Sequence, residues 1–217
     1  MDAQKLTNFL VDYGSRDKVS KFFQCAARIQ AYYLYHKDKN DPNCLLLTEF
    51  AKAASDARKF FRVGRFLYEY TTIVKALTNK NLTTFQRYLT VVSKTCWFFY
   101  WFWDNCSYLY TLKLLKVPAS WKPWFDHESA RGWFYGCICE ITQVIYDWTK
   151  LLDQKKSLSA AEYNFKNQVC AENLLKQISD ILTAVHYFGV YKWNAHVVNF
   201  WGLLNAYLSC HQGWRRA

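Results

Sequence analysis

Residues that interrupt helices are scarce in this sequence, which has only three prolines and seven glycines in 217 positions. Because proline breaks helices and glycine weakens them, this scarcity predicts long uninterrupted elements. Apolar residues recur at steps of three and four, as they do between Val19 and Tyr33, and this period is typical of helices. We therefore predict an all-α fold, a bundle of about five to six long helices.

Motifs for catalysis and metal binding are also missing. The sequence has no H-E-x-x-H, G-x-S-x-G, P-loop or G-x-G-x-x-G pattern, and none of its eight cysteines forms a C-x-x-C pair. His127 has acidic neighbours, but its position between Pro123 and Ser129 favours a solvated loop over acid–base chemistry. We expect no enzyme activity, no catalytic residues, no cofactor and no metal. The cysteines are interpreted as buried thiols in a reducing compartment, and no signal peptide is expected at the start.

What the sequence does have is positive charge and aromatic rings. The formal net charge is +11, and aromatic residues make up 19% of the chain. A basic surface attracts phosphates, either on nucleic acid or on anionic lipid, although a merely solvated basic face is an alternative. Tyrosine and tryptophan suit a membrane–water interface because their rings are apolar and their tips are polar.

Residues 58–77 predict one amphipathic helix, with Gly64 as its weak point. On a helical wheel the apolar and aromatic residues form a broad face, and Arg58, Arg62, Arg65 and Glu69 form the narrow opposite one. This profile is typical of a helix in a membrane interface, where the arginines would select anionic lipid; a core-facing helix of a soluble bundle is the alternative. The residues predicted to bind the membrane are Arg58, Lys59, Phe60, Phe61, Arg62, Val63, Arg65, Phe66, Leu67, Tyr70, Ile73 and Val74.

Residues 193–214 contain no acidic or basic side chain. A helix of this length is about 33 Å long, enough to cross a bilayer, although its asparagines and histidine leave open whether it does. We predict one or two membrane-embedded C-terminal helices, with Val197, Val198, Phe200, Trp201, Leu203, Leu204 and Leu208 in the membrane. Gly132 and Gly136 form a small-residue motif that allows helices to approach closely, so we predict a role for both in oligomerisation.

Three blocks of sequence, in order, resemble the peroxisomal biogenesis factor 11 (peroxin-11) family. The first spans residues 14–18 and continues to Gln24 and Arg28; the second is the stretch ARKFFRVGR at 57–65. The third is the pair Asp104 and Asn105 within an aromatic segment. Ser15 interrupts the first motif, and the compact, aromatic-rich form is similar to kinetoplastid glycosomal versions.

The resemblance implies a single membrane domain over residues 1–217. We expect a basic amphipathic part at 1–80, an aromatic-rich helical part at 81–189 and a membrane-embedded helix at 190–217. The family implies a peroxisomal or glycosomal membrane protein whose termini face the cytosol.

The implied function is remodelling of the membrane by elongation and tubulation, which promotes peroxisome fission and proliferation. The implied partners are an anionic phospholipid membrane, further copies of the chain and dynamin-type fission machinery. Nucleic acid is not expected, since the arginines share a helix with a broad aromatic face. A non-selective pore for small metabolites is the alternative function.

Overall fold

A computed structural model describes residues 3–217, apart from the side chain of Tyr13. Helices account for all the regular structure of this part of the chain, and six of them have at least 20 residues. The predicted all-α class is therefore confirmed. A 3₁₀ turn covers Gln154–Lys156, and the α-helices are α1 (Ala3–Val11), α2 (Tyr13–Lys37), α3 (Pro42–Phe61), α4 (Arg65–Thr78), α5 (Thr84–Thr111), α6 (Trp121–Asp153), α7 (Ala160–Phe188) and α8 (Ala195–Arg216).

Several helix ends follow from local chemistry. Asp41 caps α3 with Pro42 at the first helical position, and Thr83 forms a reciprocal capping box with Gln86 at α5. Helix α6, however, begins at Trp121, ahead of the segment between Pro123 and Ser129 that is predicted to be a loop. Pro123 lies in its first turn, where a missing N–H costs nothing, so the loop predicted around His127 is wrong and that residue is helical.

The predicted helix over residues 58–77 is divided at Gly64. Helix α3 ends at Phe61 and α4 begins at Arg65, and Gly64 between them has a φ of 77°. This left-handed conformation is strained for residues with a side chain, so glycine is favoured here. The break separates two apolar helix faces that the sequence alone joins into one.

The described chain forms two compact units. The first unit contains residues up to 63 together with 191–217, and in it α2 packs against both α3 and α8. The second unit spans 64–190, where α4, α5, α6 and α7 pack in chain order. The sequence-based division has its boundaries near residues 80 and 189, whereas the first unit joins the N-terminal helices with the C-terminal one.

Aromatic rings build the core of the second unit. Trp97, Tyr100, Trp101 and Cys137 are buried together, with Phe66, Trp133 and Ile181 packed around them. Helices α5 and α6 approach closely here, since a Cβ on Gly132 would lie 2.8 Å from the carbonyl oxygen of Cys96, and Gly136 faces the ring of Trp97. Both glycines thus serve packing within one chain, and their predicted role in oligomerisation stays a prediction.

Candidate functional site

Helix α4 of the second unit directs apolar side chains away from the protein. Five of them are between 43% and 58% exposed, and together they are called the α4 apolar face: Leu67, Tyr68, Tyr70, Val74 and Leu77. On the opposite side, Glu69 and Ala76 are buried. An ordinary surface helix of a soluble protein has the reverse arrangement, with its apolar stripe toward the core. The α4 apolar face is therefore a candidate binding surface.

The inward side of α4 is held on α5 by rings and charges. Phe66 packs edge-to-face on Phe98 and Phe102, with ring centroids 5.8 and 5.7 Å apart. The guanidinium of Arg65 lies 4.4 Å from the ring centroid of Trp101, within cation–π range. Phe66 and Arg65 were both predicted to contact the membrane, and the structure places them on the protein side instead.

A carboxylate is buried under the same helix. Burial raises the pKa of Glu69 above its ordinary value, and the nearby Lys94 ammonium, 3.8 Å away, opposes that shift. Lys94 also pairs with Glu140 on α6 at 3.3 Å. The inward side of α4 is thus tied to α5 directly and to α6 through Lys94, which leaves the outward side to define what the helix can bind.

The start of α4 is fixed by a side chain from α5. The backbone N–H of Gly64 donates a hydrogen bond of 2.8 Å to Oδ1 of Asn105, whose side chain is buried. The hydrogen bond to Asn105 therefore helps to fix the left-handed turn at Gly64, and with it the position where α4 begins.

Two of the three predicted membrane-binding arginines belong to the first unit and are turned inward. Nε of Arg58 and Nε of Arg62 lie 3.1 and 2.9 Å from Oδ1 of Asp17, with the arginine side chains 12% and that of Asp17 2% exposed. Arg58 also donates to Oε1 of Gln24. Charges that are paired and buried in this way are not presented to a lipid headgroup. Asp17 and Gln24 are not predicted from the sequence as partners of these arginines. The opposite charges of the first and second sequence blocks could have indicated the ion pairs.

Some of the other residues predicted to bind the membrane are exposed and some are partly buried. Phe60 and Val63 are exposed, at 66% and 52%. Phe61 is partly buried and lies under the guanidinium of Arg16, whereas Lys59 and Ile73 are half-buried.

Helix α8 packs against α2 through a polar contact in the first unit. Asn205, buried in the middle of α8, accepts a hydrogen bond of 2.8 Å from Nζ of the buried Lys21. Val198 and Leu208 are buried as well, Phe200 is exposed, and the other residues predicted to be embedded are half-buried: Val197, Trp201, Leu203 and Leu204. None of the helices between residues 3 and 217 combines the length and the apolar character needed to cross a membrane.

The same contacts join the sequence blocks singled out above. The first and second blocks meet in the first unit through Asp17, Gln24, Arg58 and Arg62, and the second and third meet in the second unit through Gly64 and Asn105. A family model, peroxisomal biogenesis factor 11, matches residues 3–214. The chain belongs to this family.

Membership of the peroxisomal biogenesis factor 11 family covers nearly the whole described chain and confirms the resemblance. The "Peroxisomal membrane protein 11 homolog" of Dictyostelium discoideum is 21% identical over 244 residues, covering 97% of this chain and 94% of that protein. No solved structure matches the chain. Peroxisome biogenesis is therefore the process in which the chain acts, and the more specific likeness to glycosomal forms stays a prediction.

In this member of the peroxisomal biogenesis factor 11 family, two thiols of the second unit are hydrogen-bonded to each other. Cys96 on α5 and Cys139 on α6 form the pair; the bond lowers the pKa of Cys139 to about 7 and raises the pKa of Cys96. All eight cysteines are free. Across residues 3–217, no group of three or more histidine, cysteine or acidic side chains could hold a metal ion.

Proposed function

We propose that this chain is a peroxisomal membrane protein that remodels the bilayer, with the α4 apolar face inserted shallowly into one leaflet. The proposal rests on one observation above all: α4 buries its only acidic residue, Glu69, and exposes five apolar side chains. Family membership supports the membrane as the partner, because the Dictyostelium relative is named as a peroxisomal membrane protein.

The energetics favour insertion by the apolar face. Complete burial of a leucine or valine side chain contributes roughly 1.5–3 kcal/mol. Partial burial of the five side chains of the α4 apolar face in the membrane would therefore contribute several kcal/mol in total. A helix inserted to this depth displaces headgroups more than acyl chains. It therefore favours the positive curvature that elongation and tubulation of a membrane require.

The electrostatic part of the mechanism differs from the one expected from the sequence. Because Arg58 and Arg62 are paired with Asp17, exposed lysines are better candidates for contact with anionic lipid. Lys75 in the last turn of α4 and Lys80 just beyond it are both exposed. Each cation near an anionic surface contributes about 1 kcal/mol, so lipid charge would add to a binding energy that is mainly apolar.

The remaining parts of the proposal follow from the family. Self-association and contact with dynamin-type machinery would spread local curvature into a tubule and promote peroxisome fission and proliferation, with both termini facing the cytosol. Helix α8 would contact lipid through its exposed Phe200 while remaining packed on α2. In this role the chain acts by binding and shape, without catalysis.

Vesicle experiments on the purified full chain test the proposal. We expect the chain to float with vesicles of phosphatidylcholine and phosphatidylserine and to draw tubules from them, as seen by electron microscopy. Replacing Leu67, Tyr70 and Val74 with serine should weaken vesicle binding at least about tenfold and abolish tubules, because three apolar contacts are lost.

A matched control exists in the same unit. The substitutions Phe165→Ser, Leu175→Ser and Ile178→Ser remove three exposed apolar side chains from α7, and we expect binding and tubulation to persist. The melting temperatures of both variants establish that they fold. Equal loss in the two variants, or no loss in the α4 variant, would overturn the role of the α4 apolar face.

The pore is tested separately by single-channel recording on the purified chain in planar bilayers. Conductance above background that survives the α4 substitutions would favour the pore over remodelling as the primary function.

A further inference from the structure

A shallow cavity that is open to solvent lies at the connection between α5 and α6 of the second unit. It has a volume of about 420 Å³ and is lined by Tyr110, Thr111, Lys113, Leu115, Lys116 and Lys122. Pockets of roughly 300–1,000 Å³ are the usual size for small ligands. Three of its six lining residues carry a positive charge, and most of its wall is apolar.

The charges in the cavity are only partly compensated. Nζ of Lys122 lies 2.7 Å from Oδ2 of Asp126, whose other oxygen accepts a hydrogen bond from the hydroxyl of Ser107. Neither Lys113 nor Lys116 forms an ion pair with any residue between 3 and 217. The cavity therefore keeps a net positive charge after Asp126 is counted, as an anionic ligand requires.

Lys113 and Lys116 follow the last turn of α5, and lysines there are favourable because they complement the negative end of the helix dipole. The helix dipole therefore explains part of the positive charge of the cavity. It does not explain the surroundings of the cavity. Large apolar side chains stand exposed on the same connection and on the first turn of α6, at 70% for Leu114, 47% for Trp121 and 44% for Trp124. Lysine, leucine and tryptophan together within one short segment, here residues 113–124, are typical of a segment in the headgroup layer.

We propose that this cavity binds the phosphate headgroup of an anionic phospholipid. Lys113 and Lys116 contact the phosphate, and Tyr110 and Thr111 line the same wall, where the Thr111 hydroxyl already donates its hydrogen bond to the carbonyl oxygen of Ser107. Leu115 and the lysine stems face the upper part of the acyl chains. A free phosphate shares the headgroup chemistry, but the apolar wall and the exposed Leu114, Trp121 and Trp124 favour the lipid as its source.

This inference rests on the membrane association proposed above, and a soluble lipid separates the two. Isothermal titration calorimetry of the full chain with dihexanoyl phosphatidic acid below its micelle concentration measures headgroup binding without a bilayer. The double substitution Lys113→Gln and Lys116→Gln should weaken this binding roughly 30-fold, given the usual contribution of each cation to binding an anionic lipid. The α4 serine variant should bind the short-chain lipid like wild type even where it has lost vesicles.

Matched controls define what overturns the inference. The pair Lys155→Gln and Lys156→Gln removes the same charge from exposed positions in the same unit and should leave binding unchanged. Dihexanoyl phosphatidylcholine should bind weakly. Equal loss in both lysine pairs would mean general charge attraction, and no loss in the first pair would exclude the cavity. Inorganic phosphate binding as tightly as the short-chain lipid would reassign the cavity to a soluble anion.

Discussion

The two units of the chain use buried residues in different ways. The first places charges at its centre, where Asp17 meets Arg58 and Arg62 and where Lys21 reaches Asn205. The core cluster of the second is aromatic, and its helices approach closely enough for glycine to be needed. In the first unit stability therefore depends strongly on completing ion pairs, whereas in the second, which also holds the Glu69–Lys94 pair, the close fit of rings and helices contributes more. In both units, residues of the sequence blocks that resemble the family, such as Asp17 and Asn105, are buried, whereas the α4 apolar face points outward.

Asp17→Asn should have the largest effect on stability. The substitution leaves two nearly buried guanidinium groups without their carboxylate, and breaking a buried pair in this way costs about 3–5 kcal/mol. Urea unfolding of the full chain measures the loss, and hydrogen exchange should place it in α2 and α3. Asp56→Asn removes an exposed carboxylate from α3 and should change stability by less than about 0.5 kcal/mol. Similar values for the two variants would contradict a charge-centred first unit.

Gly132→Ala should have an intermediate effect, confined to the second unit. The new Cβ would meet backbone atoms of Cys96 and Tyr100 at 2.8 Å, and overpacking of this kind costs about 1–3 kcal/mol, partly offset by the better helix propensity of alanine. Urea unfolding measures this loss of stability, and the near-ultraviolet circular dichroism of the tryptophans shows whether the aromatic core is repacked. Gly136→Ala meets only the ring of Trp97, at 3.2 Å, and a ring can move, so a smaller loss is expected. The shape argument fails if Gly136→Ala is the more damaging change.

Thiol chemistry should distinguish the units without changing their stability. Because the pKa of Cys139 is about 7, its reaction with iodoacetamide should rise as pH increases through 7, when the thiol loses its proton. Burial raises the pKa of Cys210 in the first unit, so that thiol should react slowly until the pH is higher. Mass spectrometry of labelled peptides against pH gives both rates. Cys96→Ala removes the hydrogen bond and should slow Cys139 roughly tenfold at pH 7; an unchanged rate would refute the pairing.

Much of the fold could be predicted from the sequence, and some of the site could not. The scarcity of proline and glycine, together with the period of the apolar residues, predicted long helices, and Ser159 caps α7 as its spacing to Glu162 indicates. The helical wheel places Glu69 opposite the predicted apolar face of α4, and in the structure Glu69 is buried whereas Leu67 and Tyr70 are exposed. A wheel does not show which face meets the protein, however, so Arg65 and Phe66 were assigned to lipid although they pack on Trp101 and on two phenylalanine rings of α5.

The sequence by itself determined the helical class, the family and the position of the weak point at Gly64, because composition, periodicity and glycine content are local properties of the chain. Only the tertiary structure decided that α8 joins the N-terminal helices, that Asp17 neutralises Arg58 and Arg62, and that Asn105 holds Gly64. Each of these joins residues 41 or more positions apart. Contacts over such separations depend on how whole helices pack, which no local pattern records.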